Sequence, residues 1–339
     1  MDKVQLIQYR TGLTTCTRDL FQPSPPFSGA GWRAELLPQR PNFPSLGEGL
    51  EVVISAKTLA TARCAYDLIL GCHDLITGEK DDFGTHMGIS IYPNTNTGEL
   101  DEENRLITEI RTAKHYPLAC SVAAKASRKS CIVYAIAKYE FSISIFYLGR
   151  EDLEPSLAEY IPITANHRDL IYLIHAIIAA YSAIEDLGLE IRASNRKPSR
   201  INGRWNPIVK TELEKRLTDA KIDLNQTVLW TVRGPKRKIE ASRIIPPIQK
   251  FPWSKGEVRD IEIDLIEAIA FSDWLRDCVA SHKIRSLTKS LSVYDAINVQ
   301  HLTRHLILDK LGYWKYIKSY HRALAKYYYE GIISPPESE

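Results

Sequence analysis

Residues 166–188, NHRDLIYLIHAIIAAYSAIEDLG, carry the clearest helical period in the chain, and any fold adopted here has to bury them. Leu170, Leu173, Ile174, Ile177, Ile178, Tyr181, Ile184 and Leu187 recur at i, i+3, i+4 and i+7, the spacing of one apolar helix face. Asn166 with Asp169 three residues on supplies a start signal, and Gly188 suits the left-handed residue that ends a helix. At ~1.5 Å per residue such a helix is ~30 Å long, enough to cross a domain. The spacing therefore predicts a core strut. The run from 170 to 184 is interrupted by His175 and Ser182 and flanked by Arg168 and Glu185, so it is too short and too polar to span a bilayer.

Around this strut the pattern predicts a mainly α protein, with a helical bundle-like core, a long irregular N-terminal segment and a few short strands. Residues 1–54 read as that irregular segment, because Pro23, Pro25, Pro26, Pro38, Pro41 and Pro44 interrupt everything after a possible strand at 4–9. Residues 55–191 read as a helical subdomain. Within it a helix over 55–76 stops at Gly78, a strand lies at 88–92, a polar helix covers 101–114, and one helix covers 118–145, its second half β-branched enough for a strand. Residues 192–253 form a basic connecting segment with a helix over 207–220 and a strand over 228–232. Residues 254–331 read as a C-terminal helical subdomain. Ser254 and Glu257 resemble a capping box for a helix to 280, Ser292 and Asp295 open a second that closes at Lys310 and Gly312, and a third covers 313–330.

The six cysteines are scattered and no two form a CxxC pair, which points to reduced thiols and a cytoplasmic protein rather than a disulfide scaffold. The first nineteen residues lack the apolar core of a secretory signal. The net charge of +3 conceals an uneven distribution: 192–243 holds fourteen Lys or Arg against five acids, about +9.

Walker, GxGxxG, GxSxG and HExxH patterns are all missing, which lowers the weight of nucleotide-dependent and common hydrolase classes. Two Arg–Asp strings followed by His remain: Arg168, Asp169 and His175 on the central helix, and Arg276, Asp277 and His282 in RDCVASH. This arrangement resembles the Arg-x4-6-His signature of HEPN-type helical domains, many of which are metal-independent ribonucleases. The resemblance implies cleavage of single-stranded RNA without metal or other cofactor. The guanidinium and imidazolium would stabilise charge on phosphate, and the histidine would exchange a proton with the ribose hydroxyl or leaving oxygen. It also implies that the pairs meet across a homodimer or between two halves of one chain. Arg276 and His282 are the first candidates, Arg168 and His175 the second. The simpler account makes Asp169 a helix-start residue, Arg168 and His175 a solvated face, and His282 a last-turn residue suited to the helix dipole.

In the basic segment Arg196, Lys197, Arg200, Arg204, Lys236, Arg237 and Lys238 are interleaved with Trp205 and Trp230. Guanidinium groups contact phosphates and indoles stack bases, so single-stranded nucleic acid is the partner this pattern suggests. The same residues also suit a noncatalytic nucleic-acid-binding or complex-forming subunit. His301, His305 and Asp309, four residues apart, offer a weaker metal-dependent alternative, although Leu302 stands where a HExxH protease has glutamate.

Overall fold

The computed structural model describes residues 7–14, 25–38, 49–78, 92–93, 116–148, 167–233, 258–280, 291, 293–315 and 317. Helix dominates, as the periodicity predicts: α1 is Leu59–Thr77, α2 Tyr116–Ala126, α3 Ser130–Leu148, α4 His167–Asp186, α5 Pro207–Asp219, α6 Leu265–Ala280 and α7 Val293–Lys310. The strands are β1 Ile7–Thr14, β2 Phe27–Ser28, β3 Trp32–Pro38, β4 Gly49–Ala56, β5 Tyr92–Pro93, β6 Arg200–Ile201, β7 Arg204–Trp205, β8 Thr227–Arg233 and β9 Val258–Asp264. A single buried cluster runs from Trp32 to Ile317, so helices on both sides of the basic segment share one core.

The predicted strut is α4. Its buried residues extend beyond the expected face, because Ala176, Ala179, Ala180 and Ala183 are also buried. Small side chains let neighbouring helices approach on several sides. Ser142 of α3 donates to the Ala176 carbonyl at 2.7 Å, and Thr303 of α7 to the Ala180 carbonyl at 2.9 Å. Gly188 has φ 72, the left-handed stop anticipated for it. Helix α1 ends in the same way at Gly78, with φ 80, and Thr58 caps its start by accepting from Thr61 N. Pro207 and its N-cap Asn206 open α5. Gly312, φ 78, follows α7 as expected.

The first departure from the sequence expectations is N-terminal. Four strands there, with β5, make an antiparallel sheet in the order β2-β3-β4-β1-β5. The prolines border these strands rather than forbid them: Pro25 and Pro26 precede β2, and Pro38 is the last residue of β3. Trp32, Ala34 and Leu36 pair with Ala56, Ile54 and Val52, giving one apolar face, while Arg33 and Glu35 bridge at 2.8 Å on the other. Trp32 is thus a core anchor.

The second correction concerns the single helix expected over 118–145. Two helices replace it, broken at 127–129, where Lys129 N donates to the Ala126 carbonyl. The β-branched half is helical throughout, because tertiary packing on α4 outweighs propensity.

The third correction is the helix expected over 254–280. Residues 258–264 pair as strand β9 with β8, and α6 begins only at Leu265. Ile261, Ile263 and Leu265 lie inward while Glu262 and Asp264 are exposed, a period of two that the cross-strand partner selects over the helical alternative. This antiparallel pair lies between the basic segment's helix α5 and the C-terminal helices. The expected helix over 101–114 and most of that over 313–330 lie outside the described residues, as do Asn166 and the strand positions before Tyr92.

Candidate functional site

The two Arg–His strings occupy different places. Arg276, on α6, lies 4.9 Å from the Tyr181 ring centroid and bridges Asp273 at 3.1 Å, Asp277 at 3.2 Å and Glu185 at 3.4 Å. The Tyr181 hydroxyl donates to Asp273 at 2.7 Å and accepts from Ile191 N at 3.4 Å. Burial pushes the Asp273 carboxyl up to about 6, although the hydrogen bond from Tyr181 and the charge of Arg276 pull it down. Burial also raises Tyr181, with the Asp273 charge adding to the effect. Arg276 is therefore held as the cation of a carboxylate cluster closing α4 against α6.

His282, its expected catalytic partner, lies outside the described residues. His175 is exposed in the middle of α4, and Arg168 lies in the first turn of the same helix. Glu185, which holds Arg276, is ten residues beyond His175 and seventeen beyond Arg168. At ~1.5 Å per residue these are separations of about 15 and about 25 Å along the axis. Within one chain, Arg168 and His175 do not meet Arg276.

The basic segment divides in a comparable way. Arg200 and Trp205 are paired residues of the β6–β7 hairpin, whose turn has Asn202 at φ 51 and Gly203 at φ 77, the backbone that Asn-Gly favours. Arg200 stacks over Trp205 at 4.6 Å, and both donate to the carboxylate of Glu267 at the start of α6. With its side chain only 7% exposed, Arg200 is a clamp between hairpin and helix. Lys197 bridges Glu212 at 2.5 Å. Trp230 is fully buried, edge-on to Phe271 at 5.2 Å, and offers no stacking surface. Arg196 and Arg204 are exposed and make no ion pair among the described residues. Lys236, Arg237 and Lys238 lie outside those residues.

On α7 the positions proposed for metal are separated. His301 is exposed, whereas His305 is buried, stacked on Trp314 at 4.1 Å, with Nε2 2.7 Å from Gln226 Oε1. Gln226 Nε2 donates to Asp309 at 2.7 Å. Burial raises the Asp309 carboxyl, and this hydrogen bond opposes the rise. One glutamine thus ties the two side chains together, and no group of three His, Cys, Asp or Glu suited to a metal ion occurs among the described residues.

The feature missed by sequence reasoning is a surface. Antiparallel α3 and α4 are held in register by Ser142 to Ala176 and by Lys138, which donates to Ser182 at 2.9 Å and bridges Asp186 at 2.7 Å. That register, with ~100° per residue, puts Phe141 and Ile145 of α3 beside Ile178 and His175 of α4 on one side of the pair, with Tyr134 and Ile171 toward its opposite ends. Tyr134 is 63% exposed, Phe141 58% and Ile171 54%. A signal was present: in its nineteen residues α3 has only Lys138 and Glu140 as charged side chains, so it is apolar nearly all round. A helix of that kind is expected to be covered on every side.

No protein-family model matches the chain, and no curated protein or solved structure matches it either.

Proposed function

We propose that this chain is a noncatalytic, complex-forming subunit. The observation that carries the proposal is the surface of α3 and α4 where Tyr134, Phe141 and Ile171 stay more than half exposed. No helix among the described residues is long and apolar enough to cross a membrane, so a bilayer-spanning helix does not account for that exposure. The commitments of Arg276 to three carboxylates, and of Arg200 and Trp205 to Glu267, support the same reading. RNA cleavage at Arg276 would require the guanidinium to exchange those partners for phosphate. Base stacking on Trp205 would require it to leave Arg200. Exposed Arg196 and Arg204 leave room for weak, salt-sensitive contact with a polyanion.

Incubation of labelled single-stranded RNA with the full chain in EDTA tests this, alongside His282→Ala and His175→Ala variants at equal folded concentration. The expected result is no cleavage by any of the three. Cleavage by the wild type that either variant loses would overturn the proposal and restore a HEPN-like ribonuclease.

A further inference from the structure

We infer that the β6–β7 hairpin and the start of α5 form a docking surface for an acidic, aliphatic segment of a partner protein; the inference rests on the subunit reading and names the chemistry of one partner. Residues 194–208 fold as one unit. Ser194 and Lys197 exchange backbone hydrogen bonds at 2.9 and 3.0 Å around Asn195 and Arg196. Asn206 N donates to the Ser199 carbonyl at 2.9 Å and Asn206 Nδ2 to the Pro198 carbonyl at 2.9 Å, which fixes the hairpin against the first turn of α5. Arg200 and Trp205 occupy the hairpin face that meets Glu267 of α6. Ile201 and Arg204, the next cross-strand pair, therefore turn away from α6, side by side on the opposite face. Ile201 is 51% exposed there, and Ile208, in the first turn of α5, is 61% exposed.

The charges carried by this unit and by α5 select the occupant. Each acid beside it is already held by a cation of the chain: Glu190 by Arg192 and Arg216, Glu212 by Lys197, Glu214 by Lys210, and Glu267 by Arg200. Lys215 has Asp219 one turn further along α5, about 16 Å from Ile208 along the helix axis. Arg196 and Arg204 remain as exposed cations with no acid among the described residues. Helix α5 adds to them, because no acidic residue in its first turn offsets the positive end of its dipole. Exposed aliphatic side chains beside uncompensated positive charge are met together by a segment that alternates carboxylates with aliphatic residues. Its carboxylates suit the guanidinium forks, and its apolar side chains cover the isoleucines. Nucleic acid brings the negative charge, but its bases stack on aromatic faces, and the one indole of the hairpin lies under Arg200 at 4.6 Å. A bilayer surface is met by indoles at the headgroup level, and that same indole is turned to Glu267.

Fluorescence anisotropy of a fluorescein-labelled peptide of Glu-Glu-Leu repeats, titrated with the full chain, provides the test. Two control peptides carry glutamine in place of every glutamate or of every leucine. The acidic peptide should bind about tenfold more tightly than the uncharged one and about fivefold more tightly than the leucine-free one. Its binding should weaken severalfold as salt rises from about 50 to about 300 mM. Arg204→Gln and Ile201→Asp should each weaken it about fivefold with unchanged far-ultraviolet circular dichroism. Leu229→Asp, which places the same added charge at an exposed apolar residue on β8, should bind like the wild type. Equal binding of the three peptides, or hairpin variants that bind as the wild type does, would overturn the inference. So would tighter binding of a single-stranded oligonucleotide, or of vesicles of phosphatidylcholine and phosphatidylserine, that Arg204→Gln weakens. A chain that shows no peptide preference and cleaves no RNA loses this surface alone, whereas His282-dependent cleavage removes the subunit reading.

Discussion

The substitution Asp273→Asn should change how stability depends on pH. The carboxyl is held at about 6 against an ordinary 3.8, chiefly by burial between α4 and α6. Because the folded-state value lies above the unfolded one, the native state binds the extra proton between those two pH values. The contribution to stability is complete below about pH 3.8 and is lost as pH rises through about 6. Roughly two units at ~1.4 kcal/mol each bound the whole effect at about 3 kcal/mol, of which about 2 kcal/mol falls between about pH 4.5 and pH 7. The amide of the variant would retain an oxygen to accept from Tyr181 and cannot ionise, and Arg276 would keep Glu185 and Asp277. Urea unfolding of both proteins across that range should show the stability of the variant relative to wild type improving by about 2 kcal/mol toward neutral pH. Comparing the two cancels the other raised carboxylates, Asp67 and Asp309. A constant offset between the two pH profiles would refute the buried-carboxylate account of this cluster.

Two further substitutions probe the scaffold. Glu267→Ala strands the buried Arg200 guanidinium and should cost about 3 kcal/mol in urea unfolding, with most of it recovered in Arg200→Met/Glu267→Leu; no loss in the single variant would show that the clamp is dispensable. Arg304 of α7 donates to the Leu75 and Ile76 carbonyls at 2.6 Å each, at the C-terminus of α1. Arg304→Ala should therefore cost about 2 kcal/mol and speed amide exchange in the last turn of α1, and unchanged exchange there would argue against the contact.

The elements legible in the sequence were those specified by their own residues. The apolar period of α4, Gly78 after α1, Pro207 at the start of α5, and Asp295 with Lys310 and Gly312 around α7 act within a turn or two, so spacing alone located them. Where two periods were compatible with one stretch, a distant partner chose between them. Ser254 and Glu257 favoured a helix, and β8, whose residues lie about thirty positions earlier, drew 258–264 into a strand. The candidate site was less legible for the same reason. Arg276 and Arg200 were visible as cations, but whether a guanidinium is available for phosphate depends on what neutralises it. Glu185 lies ninety-one positions from Arg276, and Glu267 sixty-seven from Arg200. The apolar circumference of α3 was written in its residues. Only packing against α4 decided which part of it stays uncovered, because a helix's exposed side is whatever its neighbours leave behind.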